Sequence, residues 1–241
     1  MLSQIRREGY YYITAVLIQY PKTQHYFRKW LQPSDEEADI FASEEEIARA
    51  HALIPEQNAE DYAEFKALIG CTGRYLLRYD CCLFHAVAFY WQEHAWLLTA
   101  PSGTGKTTQF MNWRKLYPAE ISMISGDIPA LERCGEEIMV HPSPWNGKEM
   151  IGSLISAPLG GIVILEQGTE NRITQLKTRD AMECLFNQFV FRPETEDEIL
   201  AMCRFVESML NKPIWKLINK GDAASTELLR MTLSGGDNGT I

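Results

Sequence analysis

The chain has 241 residues, room for one large domain or two small ones, and its 46% hydrophobic and 23% charged residues are the balance of a soluble globular protein. A net charge of −9 with no basic stripe excludes the usual nucleic-acid binders, and no apolar run approaches the ~18–20 residues of a membrane-spanning helix. Residues 1–9 lack the apolar centre of a secretion signal, and the six cysteines show no paired C-x-x-C spacing, so a cytoplasmic protein with reduced thiols is expected.

In chain order, Tyr10–Tyr20 is rich in aromatic and β-branched residues and predicts a strand ended by Pro21. Tyr26, Phe27, Trp30 and Leu31 mark a second apolar patch of undetermined type. Residues 34–61 hold ten carboxylates against one arginine, Arg49, and read first as a solvated acidic face and second as an acidic docking surface. Within them Ser43, with Glu46 three residues later, predicts a capped helix. Asp61–Ile69 places Tyr62, Phe65, Leu68 and Ile69 on one helical side, with Gly70 and Gly73 expected to break it. Tyr75–Leu77 reads as a short strand or helix end.

Leu83–Trp91 and Ala95–Ala100 predict a hairpin turning at Gln92-Glu93-His94 and leading straight into a glycine loop. Ala100–Thr107 fits G-x-x-x-x-G-K-[ST] with Ala100 in the first glycine's place, and Phe110, Met111, Trp113, Leu116 and Tyr117 then recur at helical spacing until Pro118. The residue types fit phosphate binding. Gly103 and Gly105 let successive N–H groups turn inward, and the helix start adds its partial positive charge. Lys106 reaches outer phosphates, and the Thr107 hydroxyl joins a Mg²⁺ shell. Ser102, Thr104 and Thr108 complete the expected nucleotide contacts.

Ile121–Ser125 predicts a strand ending at Gly126-Asp127, a usual place for a second Mg²⁺ anchor. Gly135 marks a turn, and Ile138–Val140 a strand. His141-Pro-Ser-Pro-Trp-Asn-Gly-Lys-Glu is a polar loop punctuated by prolines. Gly160–Glu166, led by Pro158, is the cleanest buried strand. Ile173–Leu176 reads as an edge strand, Asp180–Phe191 and Thr195–Leu210 as amphipathic helices, Ile214–Ile218 as a late strand, Ala223–Leu233 as a last helix, and the residues from Ser234 as a loose tail.

These residues resemble the HPr kinase/phosphorylase family, whose fold is shared with ATP-type phosphoenolpyruvate carboxykinases. The resemblance is carried by His85, Ser102-Gly-Thr-Gly-Lys-Thr-Thr, Gly126-Asp127 and the strand Pro158–Gln167. Pro142-Ser-Pro-Trp-Asn-Gly-Lys-Glu with Ala157-Pro-Leu is similar to the shorter HPr-kinase-related bacterial proteins. The resemblance spans residues 83–220 and implies an α/β fold, a mixed-sheet P-loop kinase core at 81–241, with 1–80 as a strand-plus-helix extension unlike the family's N-terminal domain. It implies ATP and Mg²⁺ as cofactors. Lys106 would bind phosphates, Thr107 and Asp127 the metal, and His85 would lie near the transferred phosphate. By residue type alone His85 reads first as a strand histidine facing a core partner. Glu149 is either a further metal carboxylate or a surface partner of Lys148, and Arg192 either contacts phosphate or is a solvated helix-end cation. The family's kinases commonly carry two consecutive aspartates where this chain has Gly126-Asp127.

The expected reaction is transfer of the γ-phosphate to a hydroxyl, with Asp127 or His85 taking the proton. The resemblance favours a serine of a peptide or small protein, approached by Trp145 and Asn146, with Lys148, Arg192 or Arg133 lining the entrance. A kinase or carboxykinase-like enzyme for a small metabolite, or a nucleotide-binding module without turnover, are the alternatives. The subunit number stays open, homo-oligomers included.

Overall fold

The structure, a computed structural model, describes residues 2–5, 15–34, 37–54, 60–146 and 152–235. It divides into two compact units, Met1–Tyr79 with Val190–Pro193, and Asp80–Phe189 with Glu194–Ile241.

In the first unit, β1 (Leu2–Ile5) lies between β2 (Ala15–Leu17) and β3 (Leu31–Ser34), antiparallel to both. Of the strand expected over Tyr10–Tyr20, only Ala15–Leu17 is extended among the described residues, and residues 10–14 lie outside them. Pro21 opens α1 (Pro21–Phe27), because its fixed φ suits a first helical turn. Acidic helix α2 (Glu44–Ala52) starts on a reciprocal Ser43–Glu46 capping box. Helix α3 (Glu60–Leu76) runs through Gly70 and Gly73, contrary to the expected break. A Cβ on Gly73 would stand 3.0 Å from Phe191 Cδ1 and 3.1 Å from Val190 Cγ2, so the glycine admits the 190–191 segment. Glu64 on α3 is fully buried and accepts the N–H groups of Gln19 and Tyr20 at 2.6 and 3.0 Å.

The second unit begins after a 3₁₀ turn at Leu77–Tyr79. Its strands and helices follow as β4 (Cys81–Leu83), β5 (Val87–Trp91), β6 (His94–Thr99), α4 (Lys106–Leu116), β7 (Ser122–Ser125), β8 (Ala130–Cys134) and β9 (Glu137–His141). Then come β10 (Ala157–Gln167), β11 (Arg172–Gln175), α5 (Thr178–Phe186), α6 (Glu196–Leu210), β12 (Ile214–Asn219) and α7 (Ala223–Ser234). The fold is mixed α/β. One nine-stranded sheet runs β4-β8-β9-β10-β6-β5-β7, and β12 adds to β10 and β11 to β12. Its long β10 is antiparallel to β9 at Ala157–Pro158, then parallel to β6 and β12.

The hairpin before the glycine loop is real and tight, since Trp91 pairs directly with His94 around Gln92-Glu93. The run from Leu83 to Trp91 is two strands rather than one, separated by Phe84–Ala86. The α5 helix ends at Phe186, short of the expected Phe191. The core packs Phe110 and Trp113 of α4, and Leu229 and Leu233 of α7, against Val87, Phe89, Leu98, Val163 and Leu217 of the sheet. At ~1.5–3 kcal/mol for each large apolar side chain removed from water, this layer fixes where α4 starts, and so where the loop sits.

Candidate functional site

Strand direction assembles the site. The β6, β10 and β12 strands are mutually parallel, β5 runs against β6, and β7 runs against β5. The carboxyl ends of β6, β7, β10 and β12 therefore share one sheet edge with the start of β5. Ligands of open α/β sheets gather at such an edge. The glycine loop leaves this edge from β6, Asp127 follows β7, and His85 precedes β5.

In the loop, Gly103 and Gly105 hold φ of +81° and +102°, with open space around each missing Cβ, so backbone conformation demands glycine there. Gly105 is the N-cap of α4 and supplies no side chain, which leaves the first N–H groups of the helix for an external acceptor. Ala100 is not among the described residues with positive φ, so alanine stands in the first glycine's place without strain. The Lys106 ammonium folds back onto the Ala100 carbonyl at 2.8 Å and faces the Pro101 carbonyl at 3.4 Å. Burial lowers its pKa below the ordinary lysine value, and the charge of Asp127 pulls it back up. Thr104 Oγ1 donates to the Pro101 carbonyl at 2.8 Å, while Ser102 and Thr108 are exposed and Thr107 is half-buried.

Beside the loop, His85 Nε2 lies 3.4 Å from Asp127 Oδ1. Both are pinned by their backbones. His85 N–H donates to the Gln188 carbonyl at 2.8 Å, Ala86 N–H to the Asp127 carbonyl at 2.9 Å, and the Thr99 hydroxyl to the His85 carbonyl at 2.9 Å. The structure thus brings Lys106, His85 and Asp127 to one edge and shows His85 paired with the aspartate.

The segment after β9 packs over the Gly126–Ile128 backbone. Ile128 N–H donates to the Trp145 carbonyl at 3.1 Å, the Ser143 hydroxyl donates to the Ile128 carbonyl, and Gly126 N–H points to Asn146 Oδ1 at 3.4 Å. The Trp145 ring is 2% exposed. The indole thus packs in the core and holds the segment there. Arg192 lies in Val190–Pro193 of the first unit, where its carbonyl accepts from Arg74 Nη2 at 3.3 Å. Lys148 and Glu149 lie outside the described residues. Arg133 of β8 lies 3.8 Å from Asp80 through Nε, with its guanidinium 6.0 Å from the Phe205 ring centre.

Among the described residues, no three His, Cys, Asp or Glu groups stand together as a metal cage. A Mg²⁺ ion here would rest on Asp127, the Thr107 hydroxyl and the phosphates of a nucleotide. That donor set suits Mg²⁺, which is commonly held by one or two carboxylates plus substrate oxygens. Sequence reading missed Gln167, at the end of β10, whose Nε2 donates to the Gly103 carbonyl at 3.3 Å. It also missed Gln109 on α4, bonded to Ser225 and Thr226 of α7 at 3.1 and 3.3 Å. Gln109 was detectable in principle as a polar residue among the apolar positions of a core-facing helix. Gln167 left no local signal.

No helix among the described residues is long and apolar enough to cross a membrane. No family model matches the chain, and no curated protein does. Among solved structures, the Hpr(Ser) kinase/phosphatase from Coxiella burnetii aligns over 64% of this chain and 99% of its own, at 10% identity and a TM-score of 0.36. A likeness at that level says nothing of chemistry.

Proposed function

We propose that this chain is an ATP- and Mg²⁺-dependent kinase that transfers the γ-phosphate to a hydroxyl, its acceptor a serine of a peptide or small protein. The observation that carries the proposal is the meeting of the Lys106 loop with the His85–Asp127 pair at one sheet edge. Phosphoryl transfer needs positioned charge more than covalent chemistry. The loop N–H groups and Lys106 hold the polyphosphate, once Lys106 exchanges the Ala100 carbonyl for phosphate oxygens. Asp127 and the Thr107 hydroxyl would hold Mg²⁺, which would supply charge neutralisation on the phosphates. His85, already against Asp127, takes the proton of the attacking hydroxyl while the carboxylate balances the imidazolium that forms. The serine acceptor rests on the sequence resemblance alone. Residues 81–241 are the kinase domain in this reading, and 1–80 an N-terminal extension.

Incubation with γ-labelled ATP, Mg²⁺ and candidate peptides or metabolites tests the proposal by where the label goes. Lys106→Ala is expected to lose at least ~100-fold in turnover; an undiminished rate sinks the scheme. A second reading, a nucleotide-binding module without turnover, is favoured by the lack of a side chain at Gly126. Asp127→Asn separates the two readings: phosphoryl transfer lost with nucleotide binding kept excludes the module.

A further inference from the structure

Asp127 is flanked by backbone that the segment after β9 holds. The backbones of its neighbours Gly126 and Ile128 bond to Ser143–Asn146: Gly126 N–H donates to Asn146 Oδ1, Ile128 N–H donates to the Trp145 carbonyl, and the Ile128 carbonyl accepts from the Ser143 hydroxyl. Ser143 Oγ also accepts the Trp145 N–H at 3.2 Å, which closes the segment on itself. Two glycines make room for Asn146. A Cβ on Gly126 would stand 2.5 Å from the Asn146 carbonyl oxygen, and one on Gly152 2.9 Å from both terminal atoms of the Asn146 amide. The backbone contact at Gly126 cannot yield by rotating a side chain, whereas the Gly152 contact is with a side-chain end. Gly126 itself has no positive φ, so backbone conformation does not demand glycine there. Close packing does.

We infer that Asn146, with Ser143 and the buried Trp145, is the positioning element for Asp127, and that residue 126 lacks a side chain because the Asn146 backbone fills its place. Resting on the kinase reading, this recasts the Pro-Trp segment: it serves the carboxylate from behind instead of meeting the acceptor. Groups that orient a metal-facing or proton-handling carboxylate set its efficiency without touching the substrate.

The test uses the full chain with three variants, Asn146→Ala, Gly126→Ala and Gly126→Asp, read with a fluorescent ATP analogue titrated with and without Mg²⁺. Asn146→Ala should weaken the Mg²⁺-dependent gain in nucleotide affinity by about tenfold, the usual effect of removing such a support, while affinity without Mg²⁺ stays at the wild-type value. Both Gly126 variants should lose turnover, because each displaces the Asn146 carbonyl. An Asn146→Ala protein with unchanged Mg²⁺ dependence overturns the inference, and so does a Gly126→Asp protein that turns over faster, which would reveal an open place for a second carboxylate. Amide hydrogen exchange keeps this failure apart from failure of the kinase reading. If the wild type binds no nucleotide the kinase reading falls, while slow exchange at Gly126 and Ile128 that is lost in Asn146→Ala still supports the positioning role. Fast exchange at both amides in the wild type refutes it.

Discussion

Gln92 and Glu93 hold φ of +48° and +64° at the turn between β5 and β6, conformations that cost a residue with a Cβ about 1 kcal/mol each. Replacing the pair by Asn-Gly, which occupies this turn without strain, should raise stability by about 1 kcal/mol in urea unfolding. Thiol chemistry also divides by position. Cys81 and Cys82 are buried, and burial pushes the Cys71 thiol up to about 12, with the Glu46 carboxylate adding to it. Iodoacetamide at neutral pH should therefore label the exposed Cys134 and Cys203 and spare those three, a pattern read directly by mass spectrometry. Gln167 gives a subtler prediction. Its amide steadies the Gly103 carbonyl, so in the kinase proposed above Gln167→Ala should raise the KM for ATP by roughly fivefold, about one hydrogen bond's worth, with kcat held. A fall in kcat at constant KM contradicts that assignment.

Whole elements show what a local pattern can and cannot announce. The capping boxes Ser43–Glu46 and Thr195–Glu198 both form, because each needs only residues three apart. The strand–loop–helix around Lys106 was legible for the same reason. The α3 helix was misread at Gly70 and Gly73, since a glycine's local helix penalty is only about 1 kcal/mol, and at Gly73 it yields to distant packing on Phe191. Strand β8 went unread because Ala130-Leu-Glu-Arg-Cys carries charges where alternation is sought. The His85–Asp127 contact needed the antiparallel pairing of β5 with β7, and the burial of Trp145 needed the whole core; neither lies in the spacing of residues. Two elements rest on single carboxylates. Glu64→Ala removes the buried acceptor of the part-buried Gln19 and Tyr20 N–H groups and should destabilise by about 2 kcal/mol, where Glu64→Gln, keeping one acceptor, loses less. Asp222 caps α7 by accepting the Ser225 N–H, which holds its carboxyl below the ordinary aspartate value. A lowered folded-state value means that the contribution is whole above the ordinary carboxylate range and lost as pH falls through the lowered value. Asp222→Asn should accordingly flatten the acid limb of the stability profile.

At the scale of the molecule, β10 joins the parts of the large sheet, with β9 at its start and β6 and β12 along its length. Its Gly161 has no spare room, since a Cβ would lie 2.7 Å from both the Pro213 carbonyl and Trp96 Cζ3. Gly161→Ala should cost about 2 kcal/mol in denaturant unfolding, because backbone and indole must both shift. The same strand sets an order in time. Thr99, which leads into the loop, pairs with Ile164, and Ile162 pairs in turn with Ile214. Such distant partners slow folding, since chain entropy is surrendered before the contacts return it. A nascent chain that has just released Lys106 from the ribosome therefore owns the loop without the strands that pair beside it. In the proposed kinase, nucleotide affinity should emerge on refolding with the last kinetic phase, after helical signal has already recovered.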